Sequence, residues 1–181
     1  MNMNYAFKQG VAPWHPTGGT FVQSNAQTHG ALPFSGLLTP SGSASLSYAE
    51  SELVSVRPGD KYVFTAWYYS PTGYSNVAIS VNWFDVNKNY ISTTSGSATS
   101  IPAATWTQFQ TTATNNVTNA VYADMVCIEG GTPPNTALLY VSAATVQDAS
   151  GPQVSSVLGY DYEATWPNPA MWPPTGVTLL A

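Results

Sequence analysis

The feature that most constrains the fold is the alternation of residue types between Tyr62 and Phe84. In the second half of this stretch an apolar residue stands at every other position, at Val77, Ile79, Val81 and Trp83. A repeat of two residues is that of a β-strand, so the pattern predicts a strand with one fully apolar, buried face. In the first half, 62–69, both faces are rich in β-branched and aromatic residues, which favour strands. The connection 70–73, Ser-Pro-Thr-Gly, has turn-forming residues, and a β-hairpin centred near Gly73 is therefore predicted.

Short strand candidates separated by clusters of Gly, Pro, Asn and Ser occupy most of the remaining chain. They cover residues 20–24, 34–38, 44–48, 52–56, 90–93, 98–101, 105–113, 120–129 and 137–146. No segment of ten or more residues has an apolar stripe at helical spacing. Frequent short strands with turn signals between them predict an all-β fold, an antiparallel β-sandwich with very little helix.

Composition limits the classes of function. A chain of 181 residues with 44% hydrophobic residues is long enough for one domain with a full core. With only four Lys and Arg and a net charge of −5, it has no basic patch for nucleic acid. No run of about 18 apolar residues predicts insertion into a membrane, and the first residues lack the pattern of a signal peptide. Cys127 is the single cysteine, so no intramolecular disulfide forms and a buried, inert thiol is expected.

The character of the sequence changes near Asp148, which predicts a sandwich domain at 1–147 and an extended C-terminal arm at 148–181. Prolines in the arm disfavour strand pairing and favour an extended backbone. The arm also carries large side chains that need a surface to bury against: Tyr160, Tyr162, Trp166, Met171 and Trp172. That surface is the arm's own sandwich, a neighbouring subunit or another protein.

Several motifs together carry a family resemblance over roughly residues 4–146. These are Asn-x-x-Phe-x-x-Gly followed by Trp at residues 4–14, and Val-x-Pro-Gly-x-x-Tyr-x-x-x-Ala-Trp at residues 56–67. They resemble carbohydrate-binding-module sandwiches of the family 4/9 type. Ser-Pro-x-Gly-Tyr, Val-Asn-Trp-Phe-Asp and Glu-Gly-Gly-Thr-Pro-Pro are similar, more narrowly, to minor tail proteins of phages that infect actinobacteria. The resemblance implies a galactose-binding-like jelly roll, a place on the virion, and binding of host cell-wall glycans.

The resemblance also bears on metal binding. Many family 4/9 modules hold a structural calcium ion through an acidic residue after the N-terminal Phe and an Asp in the last strand. The corresponding places here are Lys8 and the stretch Ser142-Ala143-Ala144. Because calcium needs several oxygen ligands and a lysine opposes it, no metal and no other cofactor is expected.

Sugar binding on such a fold needs exposed aromatic rings flanked by amide and carboxylate groups. Trp67, Trp83 and Trp106 are assigned to the core, because large aromatic side chains in strands are usually buried. The residues predicted to bind carbohydrate are Tyr69, Tyr74, Tyr90, Asn76, Asn82 and Asp85. The alternative, that these are solvated rim residues, stays open.

Candidates for catalysis are few. Two pairs of acids are spaced two residues apart and could form the carboxylate pair of a glycosidase: Glu50 with Glu52, and Asp161 with Glu163. Chance and solubility explain both pairs in a chain with nine acids. His15 and His29 stand in Pro/Gly-rich segments without partners at metal-ligand spacing and are predicted to be exposed loop residues. No enzyme is expected.

Two hypotheses from different classes follow. The first is a structural virion protein of minor-tail or surface-decoration type, assembled in the host cytoplasm as a homo-oligomer with other virion proteins through the arm. It could also adhere to host cell-wall glycans. The second is a free-standing, lectin-like carbohydrate-binding module of a secreted system. A glycoside-active enzyme is the least supported alternative.

Overall fold

The computed structural model describes residues 7–150, whose regular structure is entirely β. The strands are β1 (His15–Thr17), β2 (Gly19–Ser24), β3 (Ser35–Pro40), β4 (Leu46–Glu50), β5 (Val54–Ser55), β6 (Lys61–Tyr69), β7 (Tyr74–Phe84), β8 (Tyr90–Thr94), β9 (Thr99–Ile101), β10 (Thr107–Thr114), β11 (Tyr122–Gly130) and β12 (Leu139–Asp148). Within this range there is no helix, and so none that is long and apolar enough to cross a membrane.

The strands form two antiparallel sheets that pack face to face. One has seven strands in the order β1-β4-β11-β7-β8, with β5 also pairing with β11 and β9 with β7. The other has five strands in the order β10-β6-β12-β3-β2. Neighbours in each sheet are mostly distant in the chain, as in β4-β11-β7, because the chain passes repeatedly between the sheets. The prediction of an all-β antiparallel sandwich of jelly-roll type is confirmed.

The core is made by the inward residues of β6, β7 and their neighbours. Tyr62, Phe64, Ala66 and Tyr68 of β6 are buried, as are Val77, Ile79, Val81 and Trp83 of β7. Each such large side chain contributes about 1.5–3 kcal/mol by leaving water. Trp83 is fully buried, and its Nε1 donates to Thr94 Oγ1 at 2.8 Å, so the one polar atom of the ring is satisfied.

One end of the core is closed by three aromatic rings. The centroid of Trp14 lies 5.6 Å from that of Phe7 and 5.5 Å from that of Phe21, and all three side chains are buried. The Phe21 ring lies directly over Gly36 of β3, where any Cβ would collide with it. Strand β3 therefore uses a glycine to admit a ring between the sheets.

The predicted hairpin at Gly73 is wrong. Strands β6 and β7 belong to different sheets, and the segment between them crosses the edge of the sandwich. Contact between them is made across the core, where Tyr68 Oη donates to the Ala78 carbonyl at 3.1 Å. Gly73 has φ of 74°, and a Cβ there would lie 3.0 Å from the Ile101 carbonyl oxygen, so this tight crossing requires glycine. The apolar faces of β6 and β7 are buried against each other across the core, and the two strands do not pair within one sheet.

Other features agree with the sequence or lie beyond what the structure describes. Every strand predicted between residues 20 and 146 is present, with bounds shifted by up to three residues. Cys127 is buried, and burial raises the pKa of its thiol to about 12, which leaves it unreactive. Strand β12 runs to Asp148, and the division at 147/148 stays a prediction because the arm residues from 151 onward lie outside the described residues.

Candidate functional site

A cleft of about 710 Å³ lies on the outer face of the seven-stranded sheet. It exists because the even-numbered residues of β4, β7 and β11 point away from the core and stand side by side in the sheet. The register places Asn82 opposite Asp124, and Val126 opposite both Ser80 and Glu50. The lining comprises His15, Leu46, Tyr48, Glu50, Leu53, Ser80, Asn82, Phe84, Tyr90, Thr93, Ser95, Asp124, Val126 and Ile128.

A hydrogen-bonded row of side chains crosses the floor of the cleft, which also contains Val126 and Ile128 of β11. Asn82 Nδ2 donates to Glu50 Oε1 at 2.9 Å, and Thr93 Oγ1 donates to Asn82 Oδ1 at 2.6 Å. A further contact of 3.0 Å joins Thr93 Oγ1 to the Tyr90 hydroxyl. The amide of Asn82 is thus fixed at both ends, and the row crosses the sheet from β4 to β8. Groups held in this way keep their remaining donors and acceptors in fixed directions.

Aromatic side chains stand on the two walls. Tyr90 of β8 is 59% exposed and meets Phe84 edge to face, with centroids 6.1 Å apart. Tyr48 lies on the opposite wall, on β4, and is half-buried. Three strand spacings separate β4 from β8, which makes the floor roughly 14 Å wide. Aromatic walls over a polar floor suit an amphipathic ligand with apolar faces and hydroxyl edges.

Two carboxyl groups share the cleft. Asp124 of β11 is only 4% exposed, and its Oδ1 has no hydrogen-bond partner. Burial, and then the negative charge of Glu50, raise the pKa of Asp124 to about 7, against the opposing effect of the Asn82 hydrogen bonds. Burial also raises the pKa of the half-buried Glu50, opposed by His15 and by Asn82. No Lys or Arg is among the residues that line the cleft.

The structure brings together only two of the six residues predicted to bind carbohydrate. Asn82 and Tyr90 line the cleft. Asp85 caps the β7–β8 turn, where it accepts from the Asn87 and Asn89 backbone N–H groups at 2.8 Å each. Hydrogen bonds from Asn89, and then from Asn87, hold the pKa of Asp85 below its usual range. Its carboxylate therefore orders the turn beside Tyr90.

The other three predicted residues lie elsewhere. Tyr74 Oη donates to the Gly130 carbonyl at 2.6 Å, which ties the start of β7 to the end of β11. Asn76 lies next to the same glycine, where an added Cβ would stand 2.8 Å from Asn76 Nδ2. Tyr69 is on β6 in the other sheet. Neither Tyr74, Asn76 nor Tyr69 is part of the cleft lining.

Sequence reasoning missed most of the cleft. The sequence pairs Glu50 only with Glu52, which does not line the cleft, and the pair Asp161 and Glu163 lies outside the described residues. The prediction that His15 lies in a loop is wrong, because it is on β1, next to the wall formed by β4. One signal was available for Asp124, a single charged residue between apolar neighbours in 120–128, where a strand would otherwise be buried. Tyr48 and Glu50 could be grouped with Asn82 only through the register.

A second aromatic surface covers the outer face of the five-stranded sheet, and it corrects the assignment of two tryptophans to the core. Trp67 and Trp106 are half-buried on this face, whereas Trp83 is in the core. Trp67 has the same strand parity as Thr65 and Tyr69, so it points outward when Tyr68 points inward. We call the cluster of His29, Trp67, Tyr69, Trp106 and Tyr140 the aromatic face.

The rings of the aromatic face contact one another. His29 stacks on Trp67 with centroids 4.1 Å apart, and Trp106 lies 5.4 Å from both His29 and Tyr69. Tyr140 meets Tyr69 edge to face at 5.9 Å. His29 lies in a loop, as predicted, but it is half-buried and not exposed. Burial lowers its pKa.

The residues at the places of the family's calcium ligands do not form such a site. Lys8 is exposed and cationic, and Ser142 is a buried hydroxyl followed by two alanines at the bulge of β12. Across residues 7–150 there is no group of three or more His, Cys, Asp and Glu side chains that could hold a metal ion.

Comparison with known proteins finds similar folds among solved structures. No protein-family model and no curated protein matches the chain. The enzymatically active domain of bacteriophage CBA120 tailspike protein 4 matches with a TM-score of 0.61 and 15% identity, over 80% of this chain and 21% of that one. The CBM22-1 xylan-binding domain of Paenibacillus barcinonensis Xyn10C matches with a TM-score of 0.58 and 11% identity, over 77% of this chain and 87% of that one. A family 16 carbohydrate-binding module matches with a TM-score of 0.56 and 15% identity, over 80% and 96%.

The fold is that of carbohydrate-binding modules. The chain spans about a fifth of the tailspike chain and nearly the whole of the two separate modules. At these identities the likeness concerns the fold alone. The named modules belong to families 22 and 16, and the finer likeness to family 4/9 stays a prediction.

Proposed function

We propose that this protein is a non-enzymatic glycan-binding module that takes a sugar chain into the cleft of the seven-stranded sheet. The observation that carries the proposal is the combination of aromatic walls at Tyr48 and Tyr90 with the fixed row Glu50, Asn82 and Thr93 between them. A pyranose has apolar faces that stack on rings and hydroxyl edges that pair with amides and carboxylates. The likeness of the fold to carbohydrate-binding modules supports the same conclusion.

Titration calorimetry with xylo-, cello- and chito-oligosaccharides tests the proposal. Tyr90→Ala should weaken binding about tenfold, since a stacking ring contributes roughly 1.4 kcal/mol. Tyr69→Ala is the matched control, because it removes a half-exposed tyrosine from the aromatic face. The proposal would be contradicted if the protein bound none of these glycans. It would also be contradicted if Tyr69→Ala lost binding while Tyr90→Ala kept the affinity of the parent.

The absence of hydrolysis is part of the proposal and needs its own assay. Asn82 donates a hydrogen bond to Glu50 and fixes its carboxylate in the floor, which suits binding better than an acid that must transfer a proton to a glycosidic oxygen. Prolonged incubation with the oligosaccharides should release no shorter products by chromatography. Products that vanish in Glu50→Gln would identify an enzyme instead.

A second proposal concerns the place of the module. Support comes from the fold shared with a phage tailspike domain and from the motifs that resemble minor tail proteins of phages. In this proposal the chain is a virion component that assembles with itself or with other virion proteins through residues 148–181, and several copies strengthen a weak glycan contact. Light scattering of the full chain should show an oligomer that Trp166→Ala with Trp172→Ala converts to a monomer. An unchanged oligomer, or a monomeric parent, would count against this assembly route.

A further inference from the structure

The cleft has a charge pattern that a neutral sugar does not use. Its floor holds two carboxyl groups, Glu50 and Asp124, and the only lining residue that can carry a positive charge is His15 on the outer wall. Asp124 lies directly opposite Asn82 in the register, and β11, which carries Asp124, lies between β4 and β7. Because Glu50 reaches across β11 to Asn82, its carboxylate and that of Asp124 face the same part of the floor.

One carboxyl oxygen of Asp124 lacks a hydrogen-bond donor. Its Oδ1 is buried and unpartnered, although the residue lines the cleft. A buried acceptor without a donor is costly, so a ligand group that donates to it gains more than the same group would at a satisfied site. The other side chains on the floor that could pair with a ligand hydroxyl are Asn82 and Thr93, and these are already hydrogen-bonded to each other.

We propose that Glu50 and Asp124 together recognise a protonated amine, so that the cleft prefers a glycan with free amino groups, such as a chain of glucosamine units, to its N-acetylated or neutral counterpart. This inference rests on the proposed glycan-binding function. An ammonium group has three N–H donors and no acceptor, which matches two adjacent carboxylates. Uronic acid units carry the opposite charge and are disfavoured by the same pair.

The titration behaviour of the two groups agrees with this geometry. The titratable groups that line the cleft together with Asp124 are Glu50 and Tyr48 on β4, His15 on β1 and Tyr90 on β8, and of these Glu50 acts on Asp124. Burial and then the negative charge of Glu50 raise the pKa of Asp124 to about 7, as expected for two carboxyl groups that share a poorly solvated site. A bound ammonium group offsets the repulsion between the two carboxylates and favours their ionised forms.

The test is a comparison of affinities for the full chain with three hexamers: glucosamine, N-acetylglucosamine and xylose. We expect the glucosamine hexamer to bind at least tenfold more tightly than the N-acetylated one. In Glu50→Gln and in Asp124→Asn the ratio of these two affinities should fall to about one, because each change removes one carboxylate while keeping the shape of the side chain. Asp60→Asn, which removes a charge outside the cleft lining, should keep the ratio of the parent.

Each result decides between specific failures. Equal affinities of the parent for the two hexosamine hexamers, or a preference for the acetylated one, would overturn the inference while leaving glycan binding in place. A preference that survives in both Glu50→Gln and Asp124→Asn, or that falls equally in Asp60→Asn, would assign it to overall charge and overturn the inference too. No binding of any hexamer would overturn both the inference and the proposed function. A thermal melt of each variant confirms that it is folded before the ratio is measured.

Discussion

The two outer faces of the sandwich are both rich in aromatic residues, yet they are built differently. On the aromatic face the rings lie against each other, as in the stack of His29 on Trp67 at 4.1 Å. In the cleft, Tyr48 and Tyr90 stand on opposite walls with a polar floor between them. Rings that already contact rings have spent much of their stacking surface within the protein. On the proposed function, the difference predicts that rings separated by a polar floor, and not the number of rings, distinguish the binding face.

The largest expected effect is the change of folding stability with pH that comes from Asp124 in the cleft. Asp124 has a folded pKa of about 7, above its unfolded value, so its folded form holds the proton more tightly. The stability associated with this proton is complete below the unfolded pKa and is lost as the pH rises toward 7, by up to about 4 kcal/mol. Asp124→Asn should remove this part of the pH dependence in urea denaturation at pH 4 and pH 8.

Glu129 makes a second, separate contribution to this pH dependence, because it is a buried acid away from both faces. Burial raises its pKa to about 8, and neither carboxyl oxygen has a partner. Glu129→Gln should therefore flatten the pH dependence independently, and the double variant should show the sum. A parent protein equally stable at pH 4 and pH 8 would contradict the burial of both acids.

The next effect is on stability alone. Trp67→Ala opens the aromatic face and removes the ring on which His29 stacks, which should lower the free energy of unfolding by roughly 2 kcal/mol, less than for a fully buried tryptophan. Glycan affinity should stay as in the parent. If Trp67→Ala abolished glycan binding without loss of stability, the aromatic face and not the cleft would be the binding surface.

Tyr90→Ala is the complementary change in the cleft. Because Tyr90 is 59% exposed, its removal should cost only about 0.5 kcal/mol of folding stability by chemical denaturation. The tenfold loss of affinity expected above then comes from the ligand contact and not from unfolding. A large loss of stability in this variant would show that the wall is structural.

The smallest effect expected is at His29. Burial lowers its pKa below the unfolded value, so the folded state binds a proton less readily and stability falls as the pH drops through the unfolded pKa near 6.5. This direction is opposite to that of Asp124. His29→Gln should remove the fall, which can be followed by thermal melts between pH 5 and pH 8, and an unchanged fall would assign it to another group.

The sequence predicted the strands because alternation is local. It did not predict which strands pair, since the pattern of β7 is the same whether β6 lies beside it or across the core. On β6 both faces are apolar, and parity alone could not tell that Tyr68 points inward and Trp67 outward. The cleft depends on residues brought together from β4, β7 and β11, which are far apart in the chain, so only Asn82 and Tyr90 of the predicted residues fall in it.

The central claim, that the glycan binds in the cleft and not on the aromatic face, is tested most directly by amide chemical shifts of the labelled full chain during titration with a bound oligosaccharide. The account predicts that the shifted signals map to the lining of the cleft on β4, β7, β8 and β11, around Glu50, Asn82 and Asp124. Shifts confined to Trp67, Tyr69 and Tyr140 on the other sheet would contradict it.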